Sequence, residues 1–395
     1  MTNRSSLDET VRALAARAGE HDRDATFPHE AFDLLHANGT LNLTVPVALG
    51  GGGAGLADSC RVVETVAMGD ASVALVLSQH LMYHAYLASP AACWPAAVHE
   101  MVQRSSIEGV ALINALRVEP ELGSPARGGL PATTAERVAR GGWRLRGRKI
   151  YATGIPRLRW LAVWARTDDA DPFVGTFIVS RDTPGIEVIE TWDHMGMRAT
   201  RSDDVVFDGA LIPEDHAVDI RPPSDHAGSY SAAQLAWNGL ILSALYQGVA
   251  RAARDWLSQY LHERVPTNLG APLATLPRFQ EALGRIEARL LTNERLIAGA
   301  ARDVDEGGDA ARVAADTSSM VKHTVTSNAI ESVSDAVALV GNPGLSRRNP
   351  LERHLRDVLC SRIHSPQDDT ILVGAGRAAL ARATESAKAG PRDAG

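Results

Sequence analysis

The spacing of apolar residues changes period twice along the 395 residues, and this limits the possible folds more than any single motif does. Up to about residue 99 the apolar positions recur at helical spacing: Leu7, Val11, Leu14 and Ala18, then Phe32 and Leu35, then Val62, Val63, Val66 and Ala67. Between Ile107 and Val218 they gather into short β-rich runs at 110–116, 143–150, 158–165, 173–179, 186–189 and 205–207. Gly141-Gly142, Thr183-Pro184-Gly185 and Asp208-Gly209 punctuate these runs as turns. Arg221-Pro222-Pro223 closes the β region, and helical spacing returns over 231–262, 278–303, 310–339 and about 371–388. The succession predicts an α+β chain with an N-terminal helical domain (1–106), a middle β-barrel domain (107–220) and a C-terminal four-helix bundle (221–395).

With 45% hydrophobic and 22% charged residues, a chain of this length can bury a large core. A net charge of −7 without dense Lys/Arg runs gives no attraction for phosphate backbones or anionic lipid, so neither nucleic acid nor membrane is an expected partner. The amino terminus has no basic start followed by an apolar stretch, which makes the cytoplasm the expected location. Cys60, Cys93 and Cys360 are odd in number and far apart, so no disulfide framework or zinc site is indicated.

Two local patterns resemble sites but have plainer readings. Gly50-Gly51-Gly52-Gly53-Ala54-Gly55 satisfies G-x-G-x-x-G, yet Pro46 interrupts the preceding apolar run and no second strand completes a βαβ unit. A flexible connection between helices is expected there. His80 and His84 lie four apart on a helix, but no carboxylate accompanies them as in H-E-x-x-H, and a packed pair is expected rather than a metal site.

Three segments inside the β region carry more information: Asn114-Ala115-Leu116-Arg117-Val118-Glu119-Pro120-Glu121-Leu122-Gly123-Ser124, Gly147-Arg148-Lys149-Ile150-Tyr151-Ala152-Thr153-Gly154, and Trp192-Asp193-His194-Met195-Gly196-Met197-Arg198-Ala199-Thr200-Arg201-Ser202. In this order, within a helix, β, helix layout, they resemble the acyl-CoA dehydrogenase superfamily from Leu7 to about Ala383. The resemblance implies a flavin cofactor, FAD or FMN. It places the Val118-Glu119-Pro120 backbone and Ser124 near the flavin pyrimidine edge and the ligand, Tyr151 over the ring, and Thr153 beside flavin N5. It also implies a homotetramer, in which Arg264 and the Gly341-Asn342 turn reach the diphosphate of a flavin held by a neighbouring subunit. A guanidinium fork and a glycine turn suit phosphate oxygens. Val118 replaces the usual hydroxyl residue and Ala338 a usual amide, which favours flavin in general over FAD in particular.

Thioester dehydrogenation in this superfamily needs a carboxylate to take the substrate α-proton. Counting back from Gly376-Arg377-Ala378-Ala379-Leu380 puts one family base position near Ser365, preceded by His364, and the alternative falls near Asn238. Neither is acidic. Arg356-Asp357 followed by His364 instead resembles the reduced-flavin monooxygenases of the superfamily, in which a separate flavin reductase supplies the cofactor and oxygen attacks a small organic substrate. His364 is the expected catalytic group, with Thr153 beside N5 and His80 as a second histidine near the substrate. The alternative is an acyl-CoA or acyl-carrier dehydrogenase whose base has moved to Asp368 or Asp369. Those two acids also suit the first turn of a helix after Pro366.

Overall fold

A computed structural model describes residues 4–122, 129–139, 141–226 and 231–389. Five helices come first: α1 (Arg4–Asp24), α2 (His29–Ala37), α3 (Leu56–Gly69), α4 (Ala71–Ala88) and α5 (Ala96–Glu108). α4 is apolar on nearly every face and runs through the middle of this layer, with Ala71 to Ser78, His80, Leu81, His84 and Leu87 all buried. Asp70 starts it by accepting the backbone N–H groups of Ser72 (2.7 Å) and Val73 (3.1 Å).

Eight strands follow: β1 (Leu112–Leu116), β2 (Thr134–Arg137), β3 (Trp143–Lys149), β4 (Leu158–Thr167), β5 (Val174–Ser180), β6 (Ile186–Ile189), β7 (Asp204–Ile212) and β8 (Ala217–Arg221). They form one sheet in the order β6-β7-β3-β2-β4-β5-β8, and β1 lies parallel to β4. β4 is buried along almost its whole length because three strands flank it: β1 over residues 158–163, β2 over 166–167, and β5 on the other side. The spacing of apolar residues predicts neither β2 nor β8. β2 buries only Ala135 among its four residues, and β8 only Val218 among its five.

The last layer is built by α6 (Ala232–Glu263), α7 (Pro277–Glu306), α8 (Gly308–Val340), α9 (Asn342–Leu345), α10 (Leu351–Leu359) and α11 (Asp368–Ala389). A reciprocal Ser231–Gln234 capping box starts α6. Gly239 of α6 faces Ser318 of α8, and eight residues on, Gln247 meets Val325 through the shared Asn293 side chain. The two levels rise together, so α6 and α8 run parallel and their C-terminal ends leave the bundle on the same side.

The glycine run is not a flexible spacer. Gly52, Gly53 and Ala54 donate to the carbonyls of Asn42 (2.9 Å), Val45 (2.9 Å) and Leu43 (2.9 Å), and a Cβ on Gly52 would stand 2.6 Å from the Leu43 carbonyl oxygen. Glycine is needed there for close backbone approach. The N-terminus of α3, where a dinucleotide phosphate would sit, is taken by the protein's own Asp305 from α7, which accepts from Leu56 N (2.7 Å) and Ala57 N (2.9 Å). No helix among the described residues is long and apolar enough to cross a membrane.

Candidate functional site

The turn after β3 brings the flavin-facing candidates together. Ile150 donates to the Val118 carbonyl (3.0 Å), joining two of the three sequence segments. Tyr151 then takes φ +60°, a conformation an aromatic residue rarely adopts, and the residue stays 49% exposed. The next residues are tied to the third segment and the residue after it: Ala152 N bonds Asp203 O (3.1 Å) and Gly154 N bonds Thr200 O (2.9 Å). Thr153 Oγ1 lies 2.9 Å from Ser202 Oγ, which lies 2.8 Å from Thr200 Oγ1, and Thr200 Oγ1 donates to the Met197 carbonyl at 2.9 Å. Asn114 Nδ2 holds the Thr153 carbonyl (3.0 Å). Trp192 and His194 stack at 3.8 Å, and both rings stand nearly perpendicular to the ring of Tyr151 beside them. The result is an aromatic surface beside a relay of three hydroxyls.

Glu119 stands behind this turn, and its carboxylate has no capacity left for a ligand. It accepts from Lys149 Nζ (2.6 Å), Thr133 Oγ1 (2.6 Å), Thr133 N (3.0 Å) and Ala132 N (2.6 Å), and both members of the ion pair are shut off from solvent. Burial alone would raise the Glu119 carboxyl, but the bonds from Lys149 and Thr133 hold it below its ordinary range; burial draws Lys149 down to about 8 against the pull of Glu119. Glu119 therefore fixes the strand, and its own side chain does not face a cofactor. Ser124 lies outside the described residues.

Arg356 and Asp357, read from sequence as part of a catalytic pattern, are clamps between layers. Arg356 bonds both carboxylate oxygens of Asp22 in α1 (2.8 and 2.6 Å), Glu352 (2.7 and 3.0 Å) and the Met195 carbonyl (2.6 Å). Buried Asp357 accepts from Met197 N (2.7 Å); burial pushes its carboxyl up to about 7, with the Met197 bond opposing. Gly196 lets this loop lie against α10, since a Cβ there would meet the Arg356 carbonyl and stand 2.9 Å from Cys360 Sγ.

Beyond α10, the loop carrying His364 turns back onto α6 and α8. His364 Nδ1 lies 2.9 Å from the hydroxyl of Tyr246, a fully buried residue of α6. Burial and then the Lys322 cation pull His364 down to about 4, while burial raises the Tyr246 phenol well above its ordinary value. At neutral pH the imidazole is therefore uncharged and the phenol keeps its proton. The buried phenol proton is satisfied only if Tyr246 donates, which makes Nδ1 the acceptor and puts the imidazole proton on Nε2. His364 is thus built as a hydrogen-bond donor through Nε2–H.

The two stretches that the resemblance marks for a base, near 238 and near 365, meet here. Asn238 Nδ2 donates to the Ser365 carbonyl at 2.7 Å, so two segments 127 residues apart in sequence close on one spot without a carboxylate. Asp368 opens α11, where an acid suits the first turn of the helix, and lies 3.3 Å from His323 Nδ1.

His80 corrects the sequence expectation. It is fully buried; its Nε2 faces the Leu41 carbonyl (3.0 Å) and Ser106 Oγ (3.3 Å), and Nδ1 accepts from Ile113 N (3.4 Å). Both ring nitrogens are occupied, so it supports β1 from behind and cannot touch a substrate. Burial lowers it to about 4, below the unfolded value of about 6.5. The unfolded chain binds that proton first, so the stability His80 contributes is complete above about pH 6.5 and is lost as pH falls through about 4. His80→Gln is therefore expected to lose less stability on acidification than the parent. Denaturant midpoints across this range test it; parallel losses would contradict the assignment.

Arg264 caps the C-terminus of α6, and Gly341-Asn342 follows α8 with Gly341 at φ +66°; all three are exposed. Because α6 and α8 run parallel, these residues share one end of the bundle. The 18 residues from Tyr246 to Arg264 span about 27 Å of helix, too far for Arg264 to reach the His364 loop of its own chain.

Sequence reading missed Tyr246, Lys322 and Ser202 as participants. Lys322 had a readable signal: it stands on the buried stripe of α8 with Ser318, Val325, Thr326 and Ala329. A lysine in such a stripe needs a partner, and its Nζ donates to the carbonyls of His364 (2.7 Å), Pro366 (2.7 Å) and Ser361 (3.4 Å).

Comparison with known proteins agrees with this layout. YdbM of Bacillus subtilis, an acyl-CoA dehydrogenase-like protein, is 33% identical over 90% of this chain and 90% of its own length. L-evernosamine nitrososynthase from a Micromonospora species is 31% identical over 89% of this chain and 83% of its own. The structure of KijD3 in complex with FMN and a dTDP-linked amino keto sugar superimposes with a TM-score of 0.82 at 30% identity, covering 96% of this chain and 93% of that one. The models for the N-terminal, middle and C-terminal domains of acyl-CoA dehydrogenase match residues 3–89, 117–210 and 240–368 in that order, and the chain belongs to the acyl-CoA dehydrogenase family.

Proposed function

We propose that this protein is a flavin-dependent monooxygenase that uses reduced flavin and molecular oxygen on a small organic substrate. The observation that carries the reading is the contact between Asn238 and Ser365, which leaves both family base positions neutral, beside a His364 held as an Nε2–H donor. Relatives of two kinds flank the chain, and the nitrososynthase and the FMN complex of KijD3 support the oxygen-using one.

The residues present fit a flavin. Tyr151 offers a half-exposed residue on a strained turn, Trp192 and His194 a stacked pair, and Thr153 a hydroxyl that donates to Ser202, which donates to Thr200, leaving the Thr153 oxygen to accept from a ligand. When bound, reduced flavin would give two electrons to oxygen, one atom entering the substrate and the other leaving as water. In this reading His364 Nε2–H donates to a developing oxygen charge, Tyr246 fixes its tautomer, and Thr153 holds a hydrogen bond near flavin N5. A second copy of the chain would bring Arg264 and the Gly341-Asn342 turn to the cofactor's phosphate, as a homotetramer allows. A separate reductase would supply the reduced cofactor.

The test mixes the protein and reduced FMN with 18O2 and a panel of small amines, including nucleotide-linked amino sugars. Incorporation of one labelled atom into a product, with less hydrogen peroxide than free flavin releases, is the expected result. Peroxide alone with every compound would overturn the reading.

A further inference from the structure

We infer that Lys322 is the positioning residue of the proposed site, its ammonium group fixing the 361–366 loop so that His364 meets Tyr246. The inference rests on the reading of His364 above. Three carbonyls of one loop, those of Ser361, His364 and Pro366, converge on a single Nζ that solvent does not reach. A loop this short cannot satisfy those oxygens by itself, and leaving them buried without donors is costly. An ammonium group supplies three donors in one place, and no neutral side chain does.

Lys322 forms none of the ion pairs found among the described residues. Its cation faces backbone dipoles, with Asp368 of α11 as the acid that acts on it from further away. The other titratable groups packed around this spot are His323 on α8, Tyr246 on α6, Asp357 and Cys360 on and just after α10, and His364 itself. A buried cation without a bonded carboxylate is expensive for stability alone. Its return is geometric: the His364 carbonyl held at 2.7 Å sets the residue whose Nδ1 receives the Tyr246 hydroxyl at 2.9 Å.

Trypsin cleavage after Arg362, an exposed residue inside the pinned loop, reads this role without any substrate. In Lys322→Met, cleavage at Arg362 is expected to accelerate about tenfold or more, while cleavage at the exposed Arg264 keeps its parent rate. Lys322→Gln, which retains N–H donors, should lie between the two and serves if the methionine variant does not fold. In Lys322→Ala, added propylammonium should restore protection and tetramethylammonium, a charge without N–H donors, should not. Unchanged cleavage at Arg362, an equal rise at Arg264, or rescue by tetramethylammonium would each overturn the inference. With an oxygenated product in hand, Lys322→Met and His364→Ala should lower kcat without adding to one another. If no compound is oxygenated, the reading of the reaction fails, and the cleavage pattern still decides the role of Lys322.

Discussion

His364→Ala is expected to lower oxygenated product by about 10²–10⁴-fold, the range for losing a positioned proton donor or acceptor. Its uncoupled flavin oxidation should persist as peroxide. The size follows from the tautomer. Tyr246 donates to Nδ1 and thereby dedicates Nε2–H to whatever lies in front of the ring. Tyr246→Phe keeps the imidazole but removes the group that selects its tautomer, so it should lose less than the alanine variant, about tenfold. Product per reduced flavin in both variants checks this. A Tyr246→Phe loss as large as that of His364→Ala would mean the phenol, not the imidazole, faces the substrate.

The largest expected effect on stability lies behind the aromatic turn. Lys149→Met strands the Glu119 carboxylate in a site closed to solvent and should cost about 3–5 kcal/mol of unfolding free energy. Glu119→Ala should cost a similar amount, because it strands the ammonium and also takes the acceptor from Thr133 and Ala132. The pair is coupled: Glu119→Ala combined with Lys149→Met removes both charges and should cost clearly less than the two single changes added together. Denaturant unfolding of the four proteins closes the cycle, and simple additivity would show that the 2.6 Å contact carries no coupling.

Most of the fold was legible because each layer keeps one hydrophobic period over a long stretch. Where it was not, the residues explain why. β2 reads Thr-Ala-Glu-Arg and earns its place between β3 and β4 through backbone pairing, which leaves no apolar alternation to see. The glycine run looks slack in sequence because composition cannot tell a loose turn from one packed against Leu43 and Val45. Within the site, the β-region motifs and the lack of an acid at 238 and 365 are readable as local strings. The roles of Arg356 and Asp357 were not, since their partners Asp22 and Met197 stand 334 and 160 residues away. His80 misled for the same reason: on a helix wheel a buried histidine and a ligand-facing one look alike, and only the Leu41 carbonyl and Ile113 N–H distinguish them.

The central claim is that this chain has the dehydrogenase fold without a base for thioester chemistry. The most direct measurement loads the protein with oxidised FAD or FMN and mixes it anaerobically with straight-chain, branched and aromatic acyl-CoAs while the flavin absorbance is followed. The account predicts that the flavin stays oxidised with all of them. Rapid bleaching by any one, abolished in Asp368→Asn, would place the missing carboxylate at the start of α11 and contradict it.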